Sequence, residues 1–283
     1  MTRHDGAWLD RMYNNRALVP QHQEHFSRWA KLSAEARDSE EHELDIHYGS
    51  GPSEQLDVFP AAQPNAPVVV FIHGGYWRSL DKSDHSFVAP VLTRSGACVV
   101  IPNYALCPAV TIPQITMQMV HALAWTWSHA ARFGGDPQRI AVMGHSAGGH
   151  LATMMLACAW HTFSKSLPEN LVRNALSISG LYDLDAIRRT PFLQASLRLT
   201  PAQVRRASPA LLQAPAHGTL ATVAGADESE EFLRQNRLMR EAWGEERVPV
   251  CESLPGLNHF SVLEAVLEPG HRLHQLAQAL IAR

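Results

Sequence analysis

The sequence predicts an α/β fold: a mostly parallel central sheet, helices on both of its faces, and an antiparallel hairpin at one edge. Two observations carry that prediction. From residue 67 to residue 282, apolar runs of strand length alternate with segments of helical periodicity, the pattern of parallel strands joined by helical crossovers. In the middle of that stretch, Met143-Gly144-His145-Ser146-Ala147-Gly148-Gly149-His150 sets a G-x-S-x-G between one such run and a helix of small and apolar residues.

Residues 1–38 are rich in Trp, His, Arg and Asn, carry no strand pattern and turn helical around 21–36. They are expected to pack across the outside of the domain or over its active face. Residues 40–48 and 54–59 alternate polar and apolar side chains around Gly49-Ser50-Gly51-Pro52, which predicts the edge hairpin. Residues 67–72 are continuously apolar, as befits a strand buried on both faces, and the polar loop His73–Ser79 follows. A helix is expected over 83–95, a buried strand over 97–101, and a long helix over 113–132 with Ile115, Met119, Leu123 and Trp127 at four-residue spacing. Gly134-Gly135-Asp136-Pro137 ends that helix and leads into the strand 138–143. After the helix 147–159 come strands at 173–179, 219–224 and 248–253, a helix at 229–243, and a final helical stretch opening at His259–Leu267 and resuming after Pro269-Gly270. Residues 180–217 are too long and too proline-punctuated for a simple connection, and read as a partial cap over the sheet. The whole chain, 1–283, reads as one domain containing the N-terminal helical segment and this cap.

Composition narrows the classes of function. With 46% hydrophobic and 18% charged residues the chain resembles an ordinary globular protein, and a net charge of −3 suggests neither a nucleic-acid nor an acidic-membrane partner. No run approaches the length of a membrane span, and the first residues have no signal-peptide core. Cys98, Cys107, Cys158 and Cys251 form no C-x-x-C pair and read as reduced core thiols of a cytoplasmic protein. There is no H-E-x-x-H, and His22/His25 and His42/His47 lack a carboxylate at ligand spacing, so no metal is expected. No phosphate-binding glycine loop occurs, so no cofactor is expected either. The expected partner is a small-molecule substrate, with a homodimer left open as an assembly.

The chemistry concentrates on Ser146. Composition alone would supply about 0.1 G-x-S-x-G patterns in a chain this long, so the strand before it and the helix after it decide the reading. Such a turn forces the serine into a strained backbone and stands its hydroxyl clear of the sheet. A serine hydroxyl is a poor nucleophile until an imidazole takes its proton, and that imidazole needs a carboxylate to fix its tautomer. In this topology the order is Ser, then Asp or Glu, then His. Ser146, Asp227 and His259 meet it, each just after an expected strand. Glu228 stands beside Asp227, and Asp183, which also follows a strand, is the alternative acid. His145 and His150 flank the serine as packing or hydrogen-bonding residues. An oxyanion needs two preorganised N–H donors. The Ala147 amide is one, and the His73-Gly74-Gly75 loop is expected to give the other, Gly75 first with Gly74 or Tyr76 next.

HGGYW at 73–77, GHSAGGH at 144–150, the acid at Asp227 and LNHF at 257–260 together resemble the α/β-hydrolase superfamily. Within it, the chain is most similar to the serine-dependent kynurenine formamidases and their esterase relatives, which share an HGG-x-W loop. YNNR at 13–16, PNYAL at 102–106 and SGLYDL at 179–184 fit the same group. The resemblance spans nearly the whole chain and implies hydrolysis of N-formylkynurenine to kynurenine and formate. Tyr76 and Trp77 are then expected to wall the aromatic leaving group, and Arg16, Arg188 or Arg189 to be available to a substrate carboxylate.

Overall fold

The computed structural model of the protein describes residues 5–282. Three helices open the chain: α1 (Gly6–Tyr13), α2 (Asn15–Leu18) and α3 (His22–Ser39). Asp5 and Asn14 start the first two, each side chain accepting the backbone N–H three residues on. Helix α3 buries Trp29, Ser33 and Ala36, one stripe at helical spacing on an otherwise polar cylinder. The hairpin β1 (Glu43–His47) and β2 (Gln55–Phe59) pairs antiparallel, and β1 forms the sheet edge.

The alternating part begins with β3 (Ala66–Ile72). A 3-10 segment at Lys82–Val88 runs into the short helix α4 (Ala89–Thr93), where a single longer helix was expected. Pro90 accounts for the break: its missing N–H and fixed φ suit the first turn of α4 and cannot continue a helix through it. Then come β4 (Cys98–Pro102), α5 (Ile112–His129), β5 (Gly135–His145), α6 (Ala147–Leu156), α7 (Trp160–Phe163) and β6 (Val172–Ile178). The stretch expected to form a cap contains α8 (Leu184–Arg188), α9 (Pro191–Leu197) and α10 (Pro201–Ala207), with prolines at the helix starts of the last two. The chain closes with β7 (Thr219–Gly225), α11 (Glu230–Trp243), β8 (Val250–Leu254), α12 (Ser261–Glu264) and α13 (Arg272–Ile281).

Among the described residues eight strands form one sheet in the order β1-β2-β4-β3-β5-β6-β7-β8, with β2 antiparallel to both of its neighbours and every other pair parallel. Strand β3 lies at its centre, and its side chains divide the core. Val68, Val70 and Ile72 join Ile115, Met119 and Leu123 of α5 and Leu151 and Met155 of α6 on one face. Val69 and Phe71 join Trp29 of α3, Leu92 of α4 and Leu273 of α13 on the other. All seven residues of β3 are buried. Each fully buried Val, Leu, Ile or Phe contributes about 1.5–3 kcal/mol, so both layers are needed to hold the strand in place.

Four of the buried imidazoles, those of His73, His85, His145 and His150, have no carboxylate partner among the described residues. Burial lowers the pKa of each, with His85 brought down to about 3 and His150 to about 4. Their folded-state values lie below the value near 6.5 of an exposed histidine, so the unfolded chain takes up protons that the folded chain refuses. The stability they contribute is present above pH 6.5 and is lost as pH falls toward the folded values. Urea denaturation is expected to give an unfolding free energy that drops between pH 7 and pH 5 with uptake of up to four protons, about 1.4 kcal/mol per proton per pH unit. A denaturation midpoint unchanged over that range would contradict this account.

Candidate active site

The site is built on the turn from β5 into α6. Ser146 has φ 57° and ψ −119°, a conformation that costs a non-glycine residue energy and is held only by tight packing around it. The flanking glycines allow that packing. A Cβ on Gly144 would collide with the Gly148 carbonyl, and one on Gly148 would collide with the Ile72 carbonyl at the end of β3. The Ser146 amide bonds the Ile178 carbonyl at 2.8 Å, which fixes the turn to β6 as well. Helix α6 therefore starts directly against the ends of its neighbouring strands, with the serine between them.

His259 completes the next link. Its Nε2 lies 3.1 Å from Ser146 Oγ, and its Nδ1 lies 2.7 Å from Glu228 Oε2. The carboxylate accepts at Nδ1, so that nitrogen carries the proton and Nε2 is left as acceptor for the serine hydroxyl. The other Glu228 oxygen accepts from Ser179 Oγ at 2.5 Å and from the Gly225 amide at 2.7 Å. Serine, imidazole and carboxylate are all buried. The expected helical stretch at 259–267 begins at Ser261, and the imidazole stands in the loop before it.

The carboxylate that meets His259 is thus Glu228 and not Asp227. Asp227 is exposed; its backbone N–H bonds the Leu257 carbonyl at 3.1 Å, while the next residue turns its side chain inward to His259. Asp183 does not meet His259 either. It caps α8 through the Asp185 amide and faces Arg234 at 3.4 Å. His145 donates from Nε2 to the His259 carbonyl at 2.8 Å, holding the catalytic-type imidazole's own backbone. Burial, and then the neighbouring His259, press the pKa of His145 far down, so it stays neutral. His150 donates from Nε2 to the Ala207 carbonyl at 2.6 Å and so ties α6 to the cap.

The loop after β3 lies against this turn. A Cβ on Gly74 would stand 2.9 Å from the His145 carbonyl oxygen. Gly75 has φ 103°, where a side chain would strike the Ser79 carbonyl, and Tyr76 and Trp77 also have positive φ. Neither the Gly75 nor the Tyr76 amide donates a hydrogen bond among the described residues, and Ala147 occupies the first position of α6, where no intrahelical partner exists for its N–H. Sequence reasoning missed what holds this loop. His73 stacks on Tyr104 with ring centres 4.2 Å apart, its Nε2 meets Asn103 Oδ1 at 3.0 Å, and Asn103 donates to Asp81 at 2.6 Å. Tyr104 donates to the His73 carbonyl at 2.9 Å.

A cavity of about 340 Å³ opens beside Ser146 and His259. Tyr76 lines it, as expected, with its hydroxyl donating to the Tyr13 carbonyl at 2.7 Å. Trp77 does not. It is fully buried and packs edge-on against His150 with ring centres 5.0 Å apart, because the loop turns it into the core layer under α6. The remaining walls come from Phe26 and Trp29 of α3, Phe192 of the cap, Phe260, and Asn15 and Arg16 of α2. The N-terminal segment therefore covers the active face, fastened there by Glu264, which binds His25 at 2.7 Å, Arg28 at 2.6 Å and Trp29 Nε1 at 3.0 Å. Arg188 and Arg189 are engaged with Asp185 and are absent from the cavity wall; Arg78, which sequence reasoning passed over, is part of it. Its position directly after HGGYW was the available signal.

The BD-FAE family model matches residues 56–209, more than half of the chain. Kynurenine formamidase of Danio rerio is 28% identical over 248 residues, covering 85% of this chain and 82% of that protein. A crystal structure from Silicibacter sp. TM1040, provisionally described as a thioesterase, is 31% identical with a TM-score of 0.83, covering 97% of this chain and 99% of its own. The esterase of Pyrobaculum calidifontis, at 19% identity and a TM-score of 0.71 over 98% of this chain and 96% of its own, has the same fold. With its elbow serine, mostly parallel sheet and matched family model, the chain belongs to the BD-FAE family of α/β-hydrolases.

Proposed function

We propose that the protein hydrolyses a small aryl formamide of the N-formylkynurenine type, or a short-chain aryl ester, through a covalent acyl-enzyme on Ser146. The observation that carries this reading is the position of His259, bonded at one nitrogen to Ser146 Oγ and at the other to Glu228, beside an aromatic-lined cavity. In the first step His259 Nε2 takes the hydroxyl proton as Oγ bonds to the carbonyl carbon. The oxygen then bears the negative charge, for which the amides of Ala147 and Gly75 are the proposed donors, with Tyr76 or Gly74 as the third. The imidazolium returns its proton to the departing nitrogen or oxygen, and the C–N or C–O bond breaks. Water repeats the sequence on the acyl-serine and releases formate or the short carboxylic acid. Glu228 remains a carboxylate throughout and holds the charged imidazole in register.

The formamide reading rests on the full-length likeness to kynurenine formamidase and on the shape of the site: a one-carbon acyl group needs no pocket of its own, and aromatic rings wall the space for the leaving amine. A general carboxylesterase is the second reading, favoured by the esterase folds among the solved relatives. Steady-state rates on N-formylkynurenine beside 4-nitrophenyl acetate and butyrate separate the two, and ester turnover without formamidase activity would defeat the first. Ser146→Ala is expected to stay folded and lose at least ~10³-fold in kcat. Glu228→Gln is expected to lose at least ~10²-fold, because the imidazole loses its charge partner, whereas Asp227→Asn should stay within about threefold of the parent. A larger loss from Asp227→Asn than from Glu228→Gln would return the acid role to Asp227.

A further inference from the structure

Two guanidinium groups border the cavity, and no carboxylate does among the described residues. Arg16, on α2, lies over the Phe26 ring at 5.5 Å and has no hydrogen bond or ion pair with any described residue. Arg78, after the oxyanion loop, lies over the Phe192 ring at 5.3 Å. One of its terminal nitrogens donates to the Phe192 carbonyl at 3.0 Å and to Ser196 Oγ at 2.7 Å, which ties the loop to α9. Its Nε and second terminal nitrogen make no hydrogen bond with the described residues. The two charges oppose each other: burial first, and then the Arg16 charge, lower the pKa of Arg78.

A single exposed arginine beside a cleft needs no explanation. Two of them, each laid on an aromatic ring and facing one acid-free cavity, are a different matter. Stacking removes much of the rotamer freedom that an arginine otherwise loses on binding an anion, and the planar fork suits a carboxylate. An anion between the two groups would also relieve their mutual repulsion. We propose that Arg16 and Arg78 form an anion subsite, and that the preferred substrate carries a carboxylate on its aromatic leaving portion. The inference rests on the hydrolase reading above for the position of the scissile carbonyl at Ser146. With a formyl or acetyl group there, the rest of the cavity is left to the leaving portion, so the carboxylate belongs on that side.

The test uses two acetate esters that differ in charge, 3-acetoxybenzoate and its methyl ester. The parent protein is expected to prefer the anion by about tenfold in kcat/KM, with the preference shrinking in 0.5 M NaCl. Arg16→Gln and Arg78→Gln should each lower that ratio by about threefold or more, the double variant should bring it to about one, and Arg78→Lys should keep part of it. A parent ratio of one or less, or a ratio unchanged in the double variant, would overturn the proposal. A second measurement does not need turnover: calorimetric binding of 3-hydroxybenzoate and 3-hydroxybenzamide to Ser146→Ala protein. Tighter binding of the anion, lost with Arg16→Gln/Arg78→Gln, supports the subsite, and equal binding refutes it. Failure of the hydrolase reading would look different, as turnover that survives Ser146→Ala.

Discussion

Everything at this site depends on the absence of side chains where α6 meets β3. Gly148 brings backbone against the Ile72 and His73 carbonyls, and Gly144 lets the chain reverse within its own turn. With a methyl group at either place the helix would have to back away from the sheet. The Ser146 strain would then relax, and the loop at Gly74 would lose its seat on the His145 carbonyl. The parallel register, with Ile72 opposite Gly144 and His145 opposite Ile178, brings three strand ends level at that point. The elbow serine, the proposed oxyanion loop and the support for both thus come from three segments that share one close contact.

The same device recurs one strand further on. A Cβ on Gly225 would collide with the Leu257 carbonyl, so the loop that carries His259 packs directly on the end of β7. The Gly225 amide then points at the carboxylate three residues later, and the Ser179 hydroxyl reaches it from just past the end of β6. This explains why sequence reasoning came within one residue of the carboxylate that meets His259. The turn could be read from Gly225-Ala226-Asp227, and two carboxylates stood side by side. Which one faced inward depended on hydrogen bonds from Ala226 to Leu254 and from Asp227 to Leu257, contacts with a strand and loop some thirty residues away. Adjacent residues near a strand end point in opposite directions, so an error of one position is an error of face.

The rest of the fold was legible to different depths for similar reasons. The buried strands announced themselves because both faces of the sheet are covered, which makes β3 apolar at every position. Ser146 and His259, which the structure brings within 3.1 Å of each other, could be singled out from local context: strand, turn and helix for one, a turn before a helix for the other. Trp77 was misassigned because an aromatic ring beside an oxyanion loop serves equally as pocket wall or as anchor, and only the positive φ values at Tyr76 and Trp77 decide which ring goes where. The outer walls were the least legible part. Phe26, Trp29 and Phe192 come from segments with weak patterns of their own, and they are gathered at the cavity by Glu264 and by packing across more than two hundred residues of sequence.

The surroundings of His259 also set it apart from the other buried imidazoles. Five histidines are buried in and around this site: His73, His85, His145, His150 and His259. Of these, only His259 hydrogen-bonds a carboxylate; the others meet backbone carbonyls or, for His73, an amide side chain as well. A buried imidazole without a carboxylate partner resists protonation, since the charge would lie in a medium that solvates it poorly. Those four rings can pack, donate one hydrogen bond and hold backbone in place, but they cannot accept the serine proton at an acceptable energy. One glutamate beside one ring singles that ring out from a crowd of similar groups, and the neutral neighbours do not compete with it for the proton.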